Sequence, residues 1–364
     1  MWWYKVKNIS ELDKNFKIET KLNKSDIQFL DVRKSPFVVY GVFYENGEFR
    51  RMPEEVADKV SEGVKSLHRH SAGGRVRFKT NSPYLAIKAK FDFIEKMPQE
   101  SLTGSVGFDV YFENENNYFF KNYLPPYEIE DEYESVMDFP TNEWRAITLY
   151  LPSYSVLSEL YIGVSENSEI KQPDHYLNDG RIVYYGSSIT QGACASRPGN
   201  TYQNIISRRF NMDYINLGFS GNAKAEDAIA NYISEMKMSL FVYDYDWNSP
   251  DIKHLQATHE KMFKTIRSKN PNLPIIVLSR PKCNLSAEEK CRLQIIENTY
   301  TNAVMNGDTN IHFIKGADLM SLAGDDGLVD SVHPNDLGFF SIAKVLGDKI
   351  EKVLFGNRKV KYAK

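Results

Sequence analysis

Arg181-Ile182-Val183-Tyr184-Tyr185-Gly186-Ser187-Ser188-Ile189-Thr190-Gln191-Gly192 is the stretch that decides the fold. Its first five residues are β-branched or aromatic and read as a strand. Gly186-Ser187-Ser188 then makes a tight turn, and a helix is predicted near Thr201–Phe210. The same rhythm repeats. Asp213-Tyr214-Ile215-Asn216-Leu217 is a second strand, followed by a helix near Ala223–Met236. Leu240-Phe241-Val242-Tyr243-Asp244 is a third, with a helix near Ile252–Lys269, and 273–278 is a fourth, with a helix near Ala287–Met305. Ile311-His312-Phe313-Ile314 is a short fifth, and a last helix is predicted from Asn335 to Val353. Repeated strand–helix units give a parallel sheet covered by helices on both faces. Ligands of such sheets bind beyond the carboxyl ends of the strands, so chemistry is expected in the strand-to-helix loops.

Upstream of about residue 170 the period changes to two. Arg75-Val76-Arg77-Phe78-Lys79 puts Val76 and Phe78 on one face and three cations on the other. Leu85-Ala86-Ile87-Lys88-Ala89-Lys90-Phe91 and Ile147-Thr148-Leu149-Tyr150-Leu151 alternate similarly. These read as half-buried antiparallel strands, separated by turn signals at Ala72-Gly73-Gly74, Asn81-Ser82-Pro83, 113–117 and Leu124-Pro125-Pro126. Short strands at that spacing predict a β-sandwich. One helix is expected over Pro53–Leu67, with Val56, Val60 and Val64 at four-residue steps. The predicted architecture is α/β: a β-sandwich over 1–175, then a three-layer α/β/α domain over 180–357, joined through Gln172–Gly180.

Composition sets outer bounds. The chain has 364 residues, 42% hydrophobic and 26% charged, with a net charge of −3. That suffices for two cores, and it points to no nucleic-acid or anionic-membrane partner. Three cysteines, Cys194, Cys283 and Cys291, are too few for a disulfide framework and read as buried free thiols. The start, Met1-Trp2-Trp3-Tyr4-Lys5-Val6-Lys7, lacks the pattern of a signal peptide. Both a cytoplasmic protein and a mature exported one remain open. Trp2-Trp3-Tyr4 reads as a packed edge strand.

Four loops of the second half carry the candidate chemistry. Ser188 lies on the first, where a strand-to-helix turn exposes a hydroxyl and a backbone N–H. A serine hydroxyl needs a base. Asp330-Ser331-Val332-His333 supplies one, because a carboxylate three residues before a histidine can fold back to hold one ring N–H and free the other nitrogen. Oxyanion donors are offered by Gly218-Phe219-Ser220-Gly221-Asn222 after the second strand and by Asn248 after the third. Each loop alone is also ordinary turn chemistry, and Asn335 or Asp336 would cap the last helix.

Together these loops resemble the SGNH, or GDSL-type, hydrolases, whose blocks are a Ser in a G-D-S-like turn, a Gly, an Asn and a D-x-x-H, in that order. The resemblance covers 180–355. It implies Ser188 as nucleophile, His333 as base, Asp330 as its orienter, and an oxyanion hole from the Ser188 N–H, the Gly221 N–H and the Asn248 side chain. Two departures stand out. Ser187 occupies the place of the motif's Asp, and Asp246-Trp247-Asn248-Ser249 stands where G-x-N-D is usual. Gly107-Phe108-Asp109-Val110-Tyr111, together with His70-Ser71-Ala72-Gly73-Gly74, is similar to the G-x-D-L-Y β-domain that precedes some bacterial SGNH esterases.

Tyr245, Asp246, Trp247 and Arg280 lie by topology on the active edge and are expected to shape the substrate site. The remaining histidines (His68, His70, His254, His259 and His312) read as structural or solvated. No cofactor or metal is expected. The function implied is a serine esterase of short acyl, most plausibly acetyl, esters on a small molecule or an oligosaccharide. A lipid or thioester acylhydrolase and a non-catalytic glycan binder are the alternatives.

Overall fold

The computed structural model describes residue 7 and residues 9–13, 22–113 and 118–356. Trp2-Trp3-Tyr4 and turn residues 114–117 lie outside the described residues. Alternation in the first half produces two antiparallel sheets. One runs in the order Ile27–Asp31, Ser155–Ser165, Tyr84–Ile94, Glu132–Asp138. The other runs Ile170–Lys171, Arg75–Thr80, Arg145–Tyr150, Phe108–Phe112, Tyr118–Tyr123, and Val38–Tyr40 also pairs with Arg75–Thr80. Val76, Phe78, Leu85, Ile87, Ile147, Leu149, Leu157 and Ile162 meet in the core between them.

The opposite face of Arg75–Thr80 corrects the sequence reading. Arg75 and Arg77 are buried rather than solvated. The Arg75 guanidinium donates to Asp213 Oδ1 at 2.6 Å and stacks on the Tyr214 ring at 4.0 Å. Arg77 pairs with Glu113 and stacks on Tyr176 at 4.1 Å. Period two shows which side chains share a face; it does not show whether that face meets water. Here it meets the α/β half, and carboxylates and aromatic faces offset the desolvation of the guanidinium groups.

In the second half five parallel strands, Asn178–Gly186, Met212–Gly218, Leu240–Asp244, Ile275–Leu278 and Ile311–Ile314, lie in the order second, first, third, fourth, fifth. Alternate residues serve opposite layers. Val183, Tyr185, Leu217, Phe241, Tyr243 and Val277 pack with Ile229, Leu255, Phe263 and Ile296 of the helices Asp227–Ser234, Ile252–Lys269 and Ala287–Met305. Ile182, Tyr184, Leu240, Val242 and Ile276 pack with Ile206, Phe210, Phe339 and Leu346 of Tyr202–Phe210 and Asp336–Ile350. The first strand sits where chain order reverses, so the crevice of this sheet opens at its carboxyl end.

The predicted single helix over Pro53–Leu67 is two, Glu54–Val60 and Glu62–Leu67. Ser61 breaks it: its backbone is extended and its Oγ accepts the Val64 N–H at 3.2 Å, a side-chain cap that starts a new helix. Met52, Ala57 and Val64 belong to the α/β core, not to the sandwich. The helix after the second strand is shorter than expected, Asp227–Ser234. Asn335 caps the last helix through Leu337 and Gly338 N–H, while Asp336 binds Ser196. All three cysteines are free, but only Cys194 is buried; Cys283 and Cys291 are exposed. Cys291 sits in the first turns of the helix Ala287–Met305, on its solvent side.

Candidate active site

The first strand ends at Gly186 and the chain turns at once into the short helix Ser188–Gln191. The two neighbouring serines part here. Ser187 is fully buried, its N–H donates to Asp244 O at 3.1 Å and its Oγ accepts from Ile189 N at 3.2 Å, so it serves the turn. Ser188 turns its Oγ to His333 Nε2 at 2.9 Å. His333 Nδ1 meets Asp330 Oδ2 at 2.8 Å. Asp330 is fixed in turn by the backbone N–H groups of Val332 and His333, which donate to its Oδ1 at 2.8 and 2.7 Å. Partial burial works against the charge of Asp330, but these donors and the His333 ring outweigh it and hold the carboxyl below its ordinary range. The carboxylate therefore fixes an Nδ1–H tautomer and leaves Nε2 facing the hydroxyl.

On the loops beyond the first three strands, the Ser188 N–H, the Gly221 N–H and Asn248 Nδ2 have no acceptor among the described residues. Asn248 Oδ1 accepts the Ala223 N–H at 3.2 Å, which sets the amide so that its NH₂ faces away from that loop backbone. Gly221 has φ +68 with open space where a side chain would stand, a backbone state an L-residue adopts only under strain. A carboxylate lies beneath the turn: Asp244 is buried, and burial, with Asp246 nearby, pushes its carboxyl up to about 7.

Of the residues expected to shape the substrate site, three are buried in the packing. Tyr245 is buried in the core, its hydroxyl 2.6 Å from Thr258 Oγ1 and its ring stacked near His259. Asp246 is 1% exposed and takes a two-pronged ion pair from Arg280, at 2.8 and 2.9 Å. Arg280 is 6% exposed and also binds Glu289 Oε1 at 2.9 Å. Asp246, Arg280 and Glu289 together brace the loops after the third and fourth strands. A side chain at the carboxyl edge of a sheet can turn down into the packing, and Asp246 found a guanidinium there. Trp247 alone stays partly exposed, with the Arg280 guanidinium 4.3 Å over its ring.

Other residues around the turn gave no signal along the chain because their partners are distant in it. Gln191, buried, donates to Ser153 O at 3.2 Å, touches His70 Nδ1 at 3.1 Å and accepts Ser220 N–H at 3.1 Å. Tyr154 donates to Ser188 O at 3.4 Å. Glu100 accepts the Cys194 N–H, its second oxygen has no partner among the described residues, and burial pushes its carboxyl up to about 8. His70, expected to be structural or solvated, is buried with its Nδ1 against Gln191 Nε2.

Residues 179–351 match the GDSL-like Lipase/Acylhydrolase family and residues 27–170 match the N-terminus of SGNH hydrolase-type esterases. A GDSL-like lipase from Bacteroides ovatus is 30% identical, covers 93% of this chain and 100% of its own, and superposes with a TM-score of 0.82. The salicylyl-acyltransferase SsfX3 of a tetracycline biosynthetic pathway shares the fold at 18% identity, over 93% of this chain and 100% of its own, with a TM-score of 0.73. So does the acetyl xylan esterase Est2A from Butyrivibrio proteoclasticus, at 12% identity, over 89% and 98%, with a TM-score of 0.55. No curated protein matches by sequence. No helix among the described residues is long and apolar enough to cross a membrane. With a 30% identical relative matched over its whole length, the chain belongs to the GDSL-like, SGNH family and is a carboxylic ester hydrolase.

Proposed function

We propose that the chain hydrolyses short acyl esters, acetyl above all, carried by a carbohydrate, with Ser188 as nucleophile. The observation that carries this reading is the unbroken chain Ser188 Oγ–His333 Nε2, His333 Nδ1–Asp330 Oδ2. His333 takes the hydroxyl proton as Ser188 Oγ bonds to the ester carbonyl carbon. Asp330 steadies the imidazolium. The carbonyl oxygen, now an anion, is held by the Ser188 N–H, the Gly221 N–H and Asn248 Nδ2. The intermediate collapses, the C–O bond to the alcohol breaks, and His333 returns its proton to the leaving oxygen. Water, deprotonated by His333, then attacks the acyl-enzyme; the free acid leaves and Ser188 regains its proton.

The acyl and alcohol halves rest on weaker support. Two fold neighbours are named for carbohydrate esters, the acetyl xylan esterase and a family two carbohydrate esterase from Clostridium thermocellum in complex with cellohexaose. Trp247 offers a partly exposed indole near the third strand's loop, a surface on which a sugar face stacks. The test is acetate release from a panel of acetylated oligosaccharides beside an acyl-length series of p-nitrophenyl esters, with Ser188→Ala as control. The expected result is acetate released by wild type alone, with turnover falling beyond short chains. Preference for long acyl chains would overturn the substrate class. Wild-type rates in folded Ser188→Ala would overturn the nucleophile.

A further inference from the structure

Resting on that reading of the oxyanion hole, we infer that His70 is a positioning residue for the oxyanion loop, acting through Gln191, so that the N-terminal half of the chain sets where the Gly221 N–H points.

The loop 218–223 is held in part by itself: the Asn222 and Ala223 N–H groups donate to Phe219 O at 2.9 and 3.2 Å, and Asn222 Nδ2 donates to Ser220 O at 2.8 Å, but none of these bonds engages the N–H of Ser220 or Gly221. It is a turn with one positive-φ glycine at its exposed tip. The anchor of the Ser220 N–H comes from outside the loop. Gln191 is buried, and all its side-chain anchoring is accounted for: Oε1 accepts the Ser220 N–H, and Nε2 donates to Ser153 O and to His70 Nδ1. Because Ser220 N–H can only donate, the amide orientation is fixed, and His70 Nδ1 must be the acceptor. Burial, with Arg51 and Arg69 nearby, pushes the His70 imidazole down to about 3, so the ring stays neutral and keeps that lone pair at ordinary pH. Its ring stacks near Phe93 and meets Tyr154 edge-on.

A second anchor enters from the same half. Arg51 is buried, donates from Nε to His70 O at 3.0 Å and from Nη1 to Gly218 O, and lies 4.9 Å over the Phe219 ring. It thus ties the backbone of His70 to the first residues of the loop. A third is steric. A Cβ on Gly63 would fall 2.0 Å from Asn222 Oδ1, so a larger residue there would push aside the Asn222 side chain, whose Nδ2 donates to Ser220 O. His70, Arg51 and Gly63 lie between the sandwich strands Ile27–Asp31 and Arg75–Thr80 in sequence, and their contacts, that of His70 through Gln191, converge on Gly218, Phe219, Ser220 and Asn222 of the other half. An anchor network this specific around one turn has its effect on donor placement, where an error of about 1 Å is costly.

The experiment compares His70→Leu, which removes the acceptor, with His70→Asn, whose Oδ1 takes the place of Nδ1. Both are assayed for kcat and KM on p-nitrophenyl acetate and for thermal unfolding, beside Ser188→Ala. The expected result is a kcat about 10- to 100-fold lower in His70→Leu with KM within threefold, and recovery of most of that loss in His70→Asn. A folded His70→Leu with kcat within twofold of wild type overturns the inference. So does a loss that tracks the melting temperature equally in both variants. If His70→Leu does not fold, amide exchange in the wild type decides: slow exchange of the Ser220 N–H supports the anchor, and exchange as fast as an open loop overturns it. Wild-type turnover in Ser188→Ala would instead overturn the underlying reading of the site, and this inference with it, whatever the His70 variants do.

Discussion

Ser188 and Ser187 have the same side chain and adjacent positions, and only their partners separate them. Ser187 Oγ is spent on the turn and Ser188 Oγ faces His333. The D-x-x-H spacing made the Asp330–His333 contact legible in the sequence, because three residues close one turn and both partners are local. The sequence shows that Tyr245, Asp246 and Arg280 stand at the active edge but not which way they turn, and in the structure all three are buried. Asn248 sits on that edge too, but its Oδ1 is tied to Ala223 N and its NH₂ is left over. Asn248→Ala is expected to lower kcat by about 10²–10³ with little change in KM, as loss of one oxyanion donor does elsewhere. Steady-state kinetics on p-nitrophenyl acetate check this, and a loss within twofold removes Asn248 from the oxyanion hole.

Helices and strands of the second half were the most legible elements. Ile252–Lys269 and Ala287–Met305 start at Asp251 and Ser286, side-chain caps visible in the sequence, and the second closes a capping box with Glu289. Glu289 then does a second task. It binds Arg280 and Lys282, and Arg280 clamps Asp246, so one helix start fixes the loops after the third and fourth strands. Asp246→Ala leaves the buried Arg280 guanidinium with Glu289 as its one paired carboxylate among the described residues. The expected cost is about 3–5 kcal/mol of stability, as for other buried pairs broken on one side. Urea unfolding measures it, and a cost below about 1 kcal/mol would show that the clamp adds nothing to the fold. The break at Ser61 was legible only as a weak signal, a serine followed by Glu62 and Gly63 inside an otherwise continuous valine stripe.

Across the molecule, the period-two and period-3.6 halves were plain in the chain, but the surface between them was not. It is built from charged residues on the strand Arg75–Thr80, from Arg51 and from Glu100, each buried by a partner far away in sequence. Glu100 gives this surface a pH dependence. Burial raises its folded pKa to about 8, above an unfolded value near 4.5. Between those values the native state holds a proton that the unfolded chain has lost, so stability is highest below the lower value and falls as pH rises toward the upper. Each unit of such a shift is worth about 1.4 kcal/mol. Glu100→Gln is expected to flatten this fall, and to be more stable than wild type at pH 8–9 while near it at pH 5. Thermal unfolding across that range checks the sign; parallel curves would place the Glu100 carboxyl in contact with water.

All of these scales meet at one oxygen atom. Brief reaction of the purified protein with a serine-directed fluorophosphonate, followed by peptide mass spectrometry, asks which residue forms the covalent bond. The account predicts a single stoichiometric adduct on Ser188, absent in Ser188→Ala and strongly slowed in His333→Ala. An adduct on Ser187, or an active enzyme that takes no label at Ser188, would contradict it.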